Sequence, residues 1–156
     1  GRWLAVVAAA GVGAGLLVWR ATGSHNDRAV ALASPDFKTA EPELKKALER
    51  DPADAEVAAA LARGYVKARD EPAAEAHLAR WIELRPDDPE PRRLRVDLLR
   101  GQKRLDEAYP DGLKLLALEP ADKSLQRSVM GMAFTAGDFA RAEELCRDGL
   151  RASPAD

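Results

Sequence analysis

Apolar residues fall along this chain in two regimes. From Trp3 to Trp19 a run of Leu, Ala, Val and Gly carries no charged or strongly polar side chain and is bracketed by Arg2 and Arg20. As a helix this run is about 25 Å long, a little short of a typical bilayer span. The Trp rings at its ends suit a membrane interface, and both Arg side chains can reach outward to headgroups. Residues 1–20 are therefore expected to form a single transmembrane anchor that meets the lipid bilayer through residues 3–19. A cleaved signal fits less well, because the small residues Ala31 and Ala33 lie far downstream of the apolar core. Gly11 and Gly15, four residues apart, share one face on which two such helices could approach closely.

The second regime is periodic. Pro52, Pro86, Pro120 and Pro154 stand 34 residues apart, and so do Ala40, Ala74, Ala108 and Ala142. Eight residues after each Ala comes Leu48, Ile82, Leu116 or Leu150. Three ladders in register divide residues 21–156 into the units 21–54, 55–88, 89–122 and 123–156. Within each unit the apolar spacing is helical, and a small residue lets two helices cross closely. The large residue further on fills the space between units, and Pro ends the second helix because it lacks an N–H and disfavours a helical residue before it. A single helical pair cannot bury its apolar stripe alone, so neighbouring pairs must stack. Asp70 and Asp138 are placed to cap second helices, with Pro72 tolerated in a first turn.

These residues resemble the tetratricopeptide repeat. The second unit matches best, with Leu61, Ala62 and Tyr65 on its first helix and Ala74, Leu78, Trp81 and Pro86 on its second. The fourth has Val129, Met130 and Ala133, the turn Gly137-Asp138-Phe139, then Ala142, Cys146 and Pro154. The third is looser, with Val96, Leu99, Leu105, Ala108, Leu115 and Pro120. In the first, Asp36-Phe37 matches Asp138-Phe139, and Ala40, Leu44, Ala47 and Leu48 precede Pro52. The resemblance implies an all-α fold, a right-handed solenoid of helical hairpins over residues 36–156, here preceded by one transmembrane helix. Residues 21–35 read as a linker and a degenerate first helix, of which Asp27 to Ala33 alone suits a helical turn or two.

Two features depart from the pattern. Pro110 falls inside the second helix of the third unit, where a late start, a frayed turn or a bend is expected. The chain also stops where a unit stops, without the polar closing helix usual in such arrays. Further repeats, a partner or a second copy are expected to cover that end.

Composition removes most chemistry. Twenty-four basic residues against 26 acidic give a net charge of −2, with no like-charge block, so no nucleic-acid partner is indicated. One Cys and two His cannot supply a four-ligand zinc site unaided. The sequence contains no phosphate loop, HExxH, CxxC or nucleophile elbow, so neither a catalytic residue nor a cofactor or metal is expected, and the chain is read as a non-enzyme. His25 and His77 read as ordinary surface or half-buried residues. Cys146 takes the unit position of Leu44 and Leu78 and is expected in the core.

What remains is the wall that the family resemblance makes concave, lined by the first helix of each unit. The positions it assigns there are Glu56, Ala59, Arg63, Val66 and Lys67, then Glu90, Arg93, Asp97, Arg100 and Gly101, then Ser124, Arg127, Gly131, Phe134 and Thr135. Basic residues outnumber acidic ones, so a groove marked by Arg63, Lys67, Arg93, Asp97, Arg100 and Arg127, with Phe134 as apolar anchor, is expected to take a protein or peptide segment, preferably acidic. The family's carboxylate clamps use Asn at the ninth position, which here holds Arg63, Asp97 and Gly131, so that activity is not expected. Together these features predict a membrane-anchored scaffold for complex assembly, resembling bacterial inner-membrane proteins whose repeats face the periplasm, with its anchor framed by Trp3 and Trp19. The alternative is a subunit that braces a larger membrane complex through its anchor and solenoid ends.

Overall fold

The computed structural model describes residues 27–152, and every described element is helical. The anchor expected over residues 1–20, with Trp3, Gly11, Gly15 and Trp19, lies outside the described residues, as do His25 and Pro154. Among the described residues, no helix is long and apolar enough to cross a membrane. Residues 27–33 form α1, where a short helix is expected. Then follow α2 (Phe37–Arg50), α3 (Ala55–Ala68), α4 (Glu71–Leu84), α5 (Pro89–Gly101), α6 (Leu105–Leu118), α7 (Lys123–Thr135) and α8 (Phe139–Ala152). The starts of α2, α4, α6 and α8 are 34 residues apart, as are those of α3, α5 and α7, so the sequence period is carried in full by the helices. Below, α3, α5 and α7 are called A helices and α2, α4, α6 and α8 B helices.

The helix ends follow from side chains at fixed places in the repeat. Asp54, Asp88 and Asp122 precede the A helices, and each accepts hydrogen bonds from backbone N–H groups of the first turn, Asp122 from Leu125 at 2.9 Å. Asp36, Asp70 and Asp138 do the same for α2, α4 and α8. Arg104 occupies the corresponding place before α6 and makes no side-chain cap. The turns from A to B helix reverse through a left-handed residue, again 34 apart: Arg69 at φ 58°, Lys103 at φ 62° and Gly137 at φ 77°. The helices α2, α4 and α6 each end two residues before Pro52, Pro86 and Pro120, since a proline ring disfavours a helical residue before it.

Of the late start, frayed turn or bend expected at Pro110, the late start does not occur in α6. The helix begins at Leu105 and carries Pro110 as its sixth residue, and α2 carries Pro42 in the same place. The carbonyl deprived of its partner belongs to Asp106 or Lys38, both exposed, so water can serve it at small cost.

The chain divides into two compact parts between Leu61 and Ala62, within α3. In the first part α2 turns Ala40, Leu44 and Ala47 inward, and Arg28 of α1 binds Asp54. In the second part each helix from α4 onward packs against the next, α4 on α5, α5 on α6, α6 on α7 and α7 on α8. Its core joins Val96 and Leu99 to Ala108, Leu115 and Leu116 of α6, and these to Leu125, Val129, Met132 and Ala133 of α7 and Ala142 and Leu145 of α8. The recurrent Ala marks the close crossing in each pair: Ala74 and Ala108 are wholly buried. Gly112 shows how tight the α6–α7 contact is, since a β-carbon there would stand 2.7 Å from Met132 Cε and 3.2 Å from Val129 Cγ2.

Cys146, expected in the core, is exposed. Its counterparts Leu44, Leu78 and Gly112 are buried, Gly112 against α7 of the next repeat, whereas no described helix follows α8 to cover this position. Leu150 is exposed for the same reason, while its counterpart Leu116 is buried.

Candidate functional site

The A helices present a row of side chains that the core does not use. Arg63 and Lys67 lie one turn apart on α3, Arg93, Asp97 and Arg100 run along α5, and Arg127, Gly131 and Phe134 along α7, all exposed. Ala59 and Val66 do not join them. Ala59 is buried and Val66 half-buried, because small and branched apolar residues at those places are drawn into the packing between helices.

The expected basic groove is largely neutralised from within. Arg63 grips Glu90 with two hydrogen bonds, from Nε at 2.7 Å and from Nη2 at 2.6 Å. Arg93 pairs with Glu119 and lies 3.4 Å from Asp122. In the first part Arg28 binds Asp54 and lies 2.7 Å from Glu56. Arg28 and Arg63 thus reach the acidic start of the following A helix, where the helix dipole also favours negative charge, while Arg93 lies between Glu119 at the end of α6 and the α7 cap Asp122. The hydrogen bond from Arg63 holds the Glu90 carboxyl below its ordinary range, and that from Arg28 does the same for Asp54. Asp122 is lowered first by the Leu125 N–H it caps and then by Arg93. Asp97 and Arg100 are a loose pair at 3.7 Å. Among the described residues Lys67 and Arg127 have no acidic partner, so they are the cations this wall can offer.

Arg63 is fixed on a second side. Its guanidinium lies 4.6 Å from the centre of the buried Trp81 ring, and Trp81 Nε1 donates to Asp88 Oδ2 at 3.1 Å. His77 stacks on Tyr65 with ring centres 5.3 Å apart, a packing role in keeping with its half-buried place.

Phe134 is 66% exposed and meets Phe139 edge to face at 5.3 Å. Arg127 stands two turns before it on the same helix, so the pair shares one face. On the B-helix side an open groove of about 390 Å³ lies among α6, α7 and α8, lined by Leu113, Leu116, Pro120 and Leu145 with Gln126 and Arg141 at its polar edge. Gln126 Nε2 donates to the Leu145 carbonyl at 2.9 Å, which ties α7 to α8 beneath this groove.

A buried charge cluster joins α5 to α6 and was not anticipated. Arg92 Nη1 donates to Asp111 Oδ1 at 3.2 Å and Nη2 to the Pro86 carbonyl at 3.1 Å, while Arg95 Nε lies 2.5 Å from Asp111 Oδ2 without aiming its N–H along a hydrogen bond. Two guanidinium groups on one carboxylate leave this junction specific in geometry rather than strongly stabilising. The signal in the sequence was an Asp on an otherwise apolar stripe of α6. Among the described residues no group of three or more His, Cys, Asp or Glu could hold a metal ion.

Comparison with known proteins agrees with this architecture. Residues 31–98 match the tetratricopeptide repeat family model. No curated protein sequence matches the chain. Solved structures do: MamA of AMB-1 superposes with a TM-score of 0.60 at 20% identity, covering 75% of this chain and 64% of that one. PilF of Pseudomonas aeruginosa gives 0.55 at 22% identity over 86% and 64%. PilW, a type IV pilus biogenesis factor, gives 0.53 at 21% over 84% and 62%. The chain thus spans just under two thirds of the solved chains it matches, and at these identities the likeness establishes the all-helical repeat fold.

Proposed function

We propose that this chain is a membrane-anchored repeat scaffold that holds a segment of a partner protein along its A helices for assembly of a larger complex. The observation that carries this reading is the pair on α7: Phe134, a large apolar side chain left 66% exposed, on one face with Arg127, a cation without an acidic partner among the described residues. An exposed aromatic ring with an Arg two turns away on the same helix face gives the apolar and cationic elements of an interface anchor. The partner segment is extended or helical, with an apolar residue for Phe134 and acidic residues for Arg127 and Lys67. Arg63, Arg93, Asp97 and Arg100 contribute mainly by shaping the wall, since their charges already face partners of their own.

The anchor rests on residues 3–19, whose uncharged run between two Trp residues is long enough to cross most of a bilayer. The repeats would then face the periplasm from a bacterial inner membrane.

Two arms test the proposal. Phe134→Ala with Arg127→Glu is expected to abolish co-purification of the partner while leaving the thermal midpoint unchanged, since neither side chain supports the core. Deletion of residues 1–20 is expected to move the protein from the alkali-resistant membrane fraction to the soluble one. Retention of the partner by the double variant, with loss of the complex on deleting the anchor, would instead support the bracing role.

A further inference from the structure

Unit 89–122 buries charge at two places where the unit after it buries none. Arg92 of α5 stands 19 residues before Asp111 of α6, and the residues one period on are Gln126 and Leu145, while those one period back are Ala58 and His77. Arg92 and Asp111 are both buried, and Arg92 Nη1 donates to Asp111 Oδ1 at 3.2 Å. One unit on, the contact is of another kind: Gln126 Nε2 donates to the backbone carbonyl of Leu145 at 2.9 Å, and the Leu145 side chain is buried as an apolar group. His77 stacks on Tyr65 instead. Successive hairpins thus carry different chemistry at one pair of repeat positions. The charged version adds little stability, since burying an ion pair offsets most of what its attraction returns. Among the described residues Arg92 Nε also finds no hydrogen-bond acceptor.

We infer that the Arg92–Asp111 pair fixes the order in which the helices stack, by making the pairing of α5 with α6 unlike the pairings one unit away. Much else in the hairpins repeats: the Ala at the close crossing, the Pro after the B helix and the 34-residue spacing of the helix starts. A chain built this way has competing pairings, in which an A helix takes the B helix of a neighbouring unit, from its own chain or from a second copy. With α5 on α8, Arg92 faces Leu145. With α7 on α6, Asp111 faces Gln126. Either way a buried charge is left without its opposite, which costs far more than the native pair contributes. The Pro86 carbonyl, which accepts from Arg92 Nη2 at 3.1 Å, does not discriminate, because Pro stands at that place in every unit. The Asp111 carboxylate is what tells α6 from α8. This inference does not rest on segment binding by the A helices.

The test makes neighbouring units alike. The full chain in detergent micelles is unfolded in urea, refolded by dilution at several protein concentrations, and followed by size-exclusion chromatography and amide NMR. The parent should return as one species. Arg92→Gln with Asp111→Leu gives unit 89–122 the pair of the unit after it. Its urea midpoint should be no lower than the parent's, while the fraction refolding into a second species should rise about tenfold or more and grow with concentration. Gln126→Arg with Leu145→Asp, in the parent, makes the two units alike by adding charge and should have the same effect. The groove of about 390 Å³ beside Gln126 and Leu145 gives the longer side chain room. All four changes together move the charged pair one unit along, restore the difference between units and should restore a single species. Clean refolding of Arg92→Gln with Asp111→Leu overturns the inference, and decides the matter even where the added charges do not fold. A second species that persists in the folded four-residue variant overturns it as well. So does a fall in the urea midpoint of Arg92→Gln with Asp111→Leu, because the cluster would then be a stabilising element.

Discussion

Arg63 and Glu90 are joined by two hydrogen bonds of 2.7 and 2.6 Å, the guanidinium of one A helix closing on the carboxylate that begins the next. The same Arg lies over the Trp81 ring. A side chain that the sequence offers for binding a partner is thereby used to join successive repeats.

The first prediction concerns that pair. Arg63→Ala should destabilise the fold by about 1 kcal/mol, the sum of a half-exposed bidentate pair and an exposed cation–π contact. Urea unfolding of Arg63→Ala, Glu90→Ala and the double variant should show a positive coupling. Glu90 titrates below its ordinary value in the folded chain. Its contribution is therefore complete above the unfolded pKa of about 4.3 and is lost as pH falls through the folded value. NMR titration should show the Glu90 pKa rising in Arg63→Ala.

A second prediction follows from the three left-handed turn residues. Gly137, at φ 77°, has open space around a notional β-carbon, so Gly137→Ala tests backbone strain alone. It should cost about 1 kcal/mol, whereas Lys103→Gly, at φ 62°, should gain about 0.5 kcal/mol. Paired thermal melts with opposite shifts would bear this out. Shifts of the same sign would contradict it.

Gly112 supplies the third. Leu is the residue of the first two repeats at this position, yet Gly112→Leu should destabilise by roughly 1–3 kcal/mol by driving into Met132 and Val129, despite its better helix propensity. Gly112→Leu with Met132→Ala should recover part of the loss, measured by chemical denaturation.

Tyr109 and Asp138 supply the fourth. The Tyr109 hydroxyl donates to Asp138 Oδ2 at 2.7 Å, which lowers the Asp138 carboxyl, while burial and then Asp138 itself push the Tyr109 hydroxyl up to about 12. Tyr109→Phe should raise the Asp138 pKa toward its ordinary value. Asp138 then loses part of a stabilising effect that is present above about pH 3.9 and fades as pH falls through its folded value. The parent and variant should therefore differ in stability near neutrality and converge in strong acid.

Much of this structure was legible beforehand. The Pro and Ala ladders gave the 34-residue period that every described B helix obeys, and Asp70 and Asp138 cap the helices they were expected to cap. The ladder Asp54, Asp88 and Asp122 was equally visible and equally periodic, but its meaning depends on knowing where the A helices begin. The wall at the A helices was harder. Position within a repeat placed Arg63, Arg93 and Arg127 on the exposed wall, where they are, but also Ala59, which is buried, and Val66, which is half-buried. It could not tell that Arg63 reaches from the ninth place of one repeat to the second place of the next, because that contact depends on the offset between layers. Cys146 was misplaced for a related reason: what covers its counterpart Gly112 is α7 of the next repeat, and α8 is the last described helix.

The scaffold reading is tested most directly by site-specific crosslinking in intact cells, with a photoreactive phenylalanine analogue placed singly at Asp97 and Phe134 on the A helices and at Glu107 and Leu118 on the B helices. The account predicts a discrete adduct with one other protein from Asp97 and Phe134, lost when Arg127→Glu is added, and none from Glu107 or Leu118. Adducts arising from the B-helix positions, or from all four alike, would contradict it.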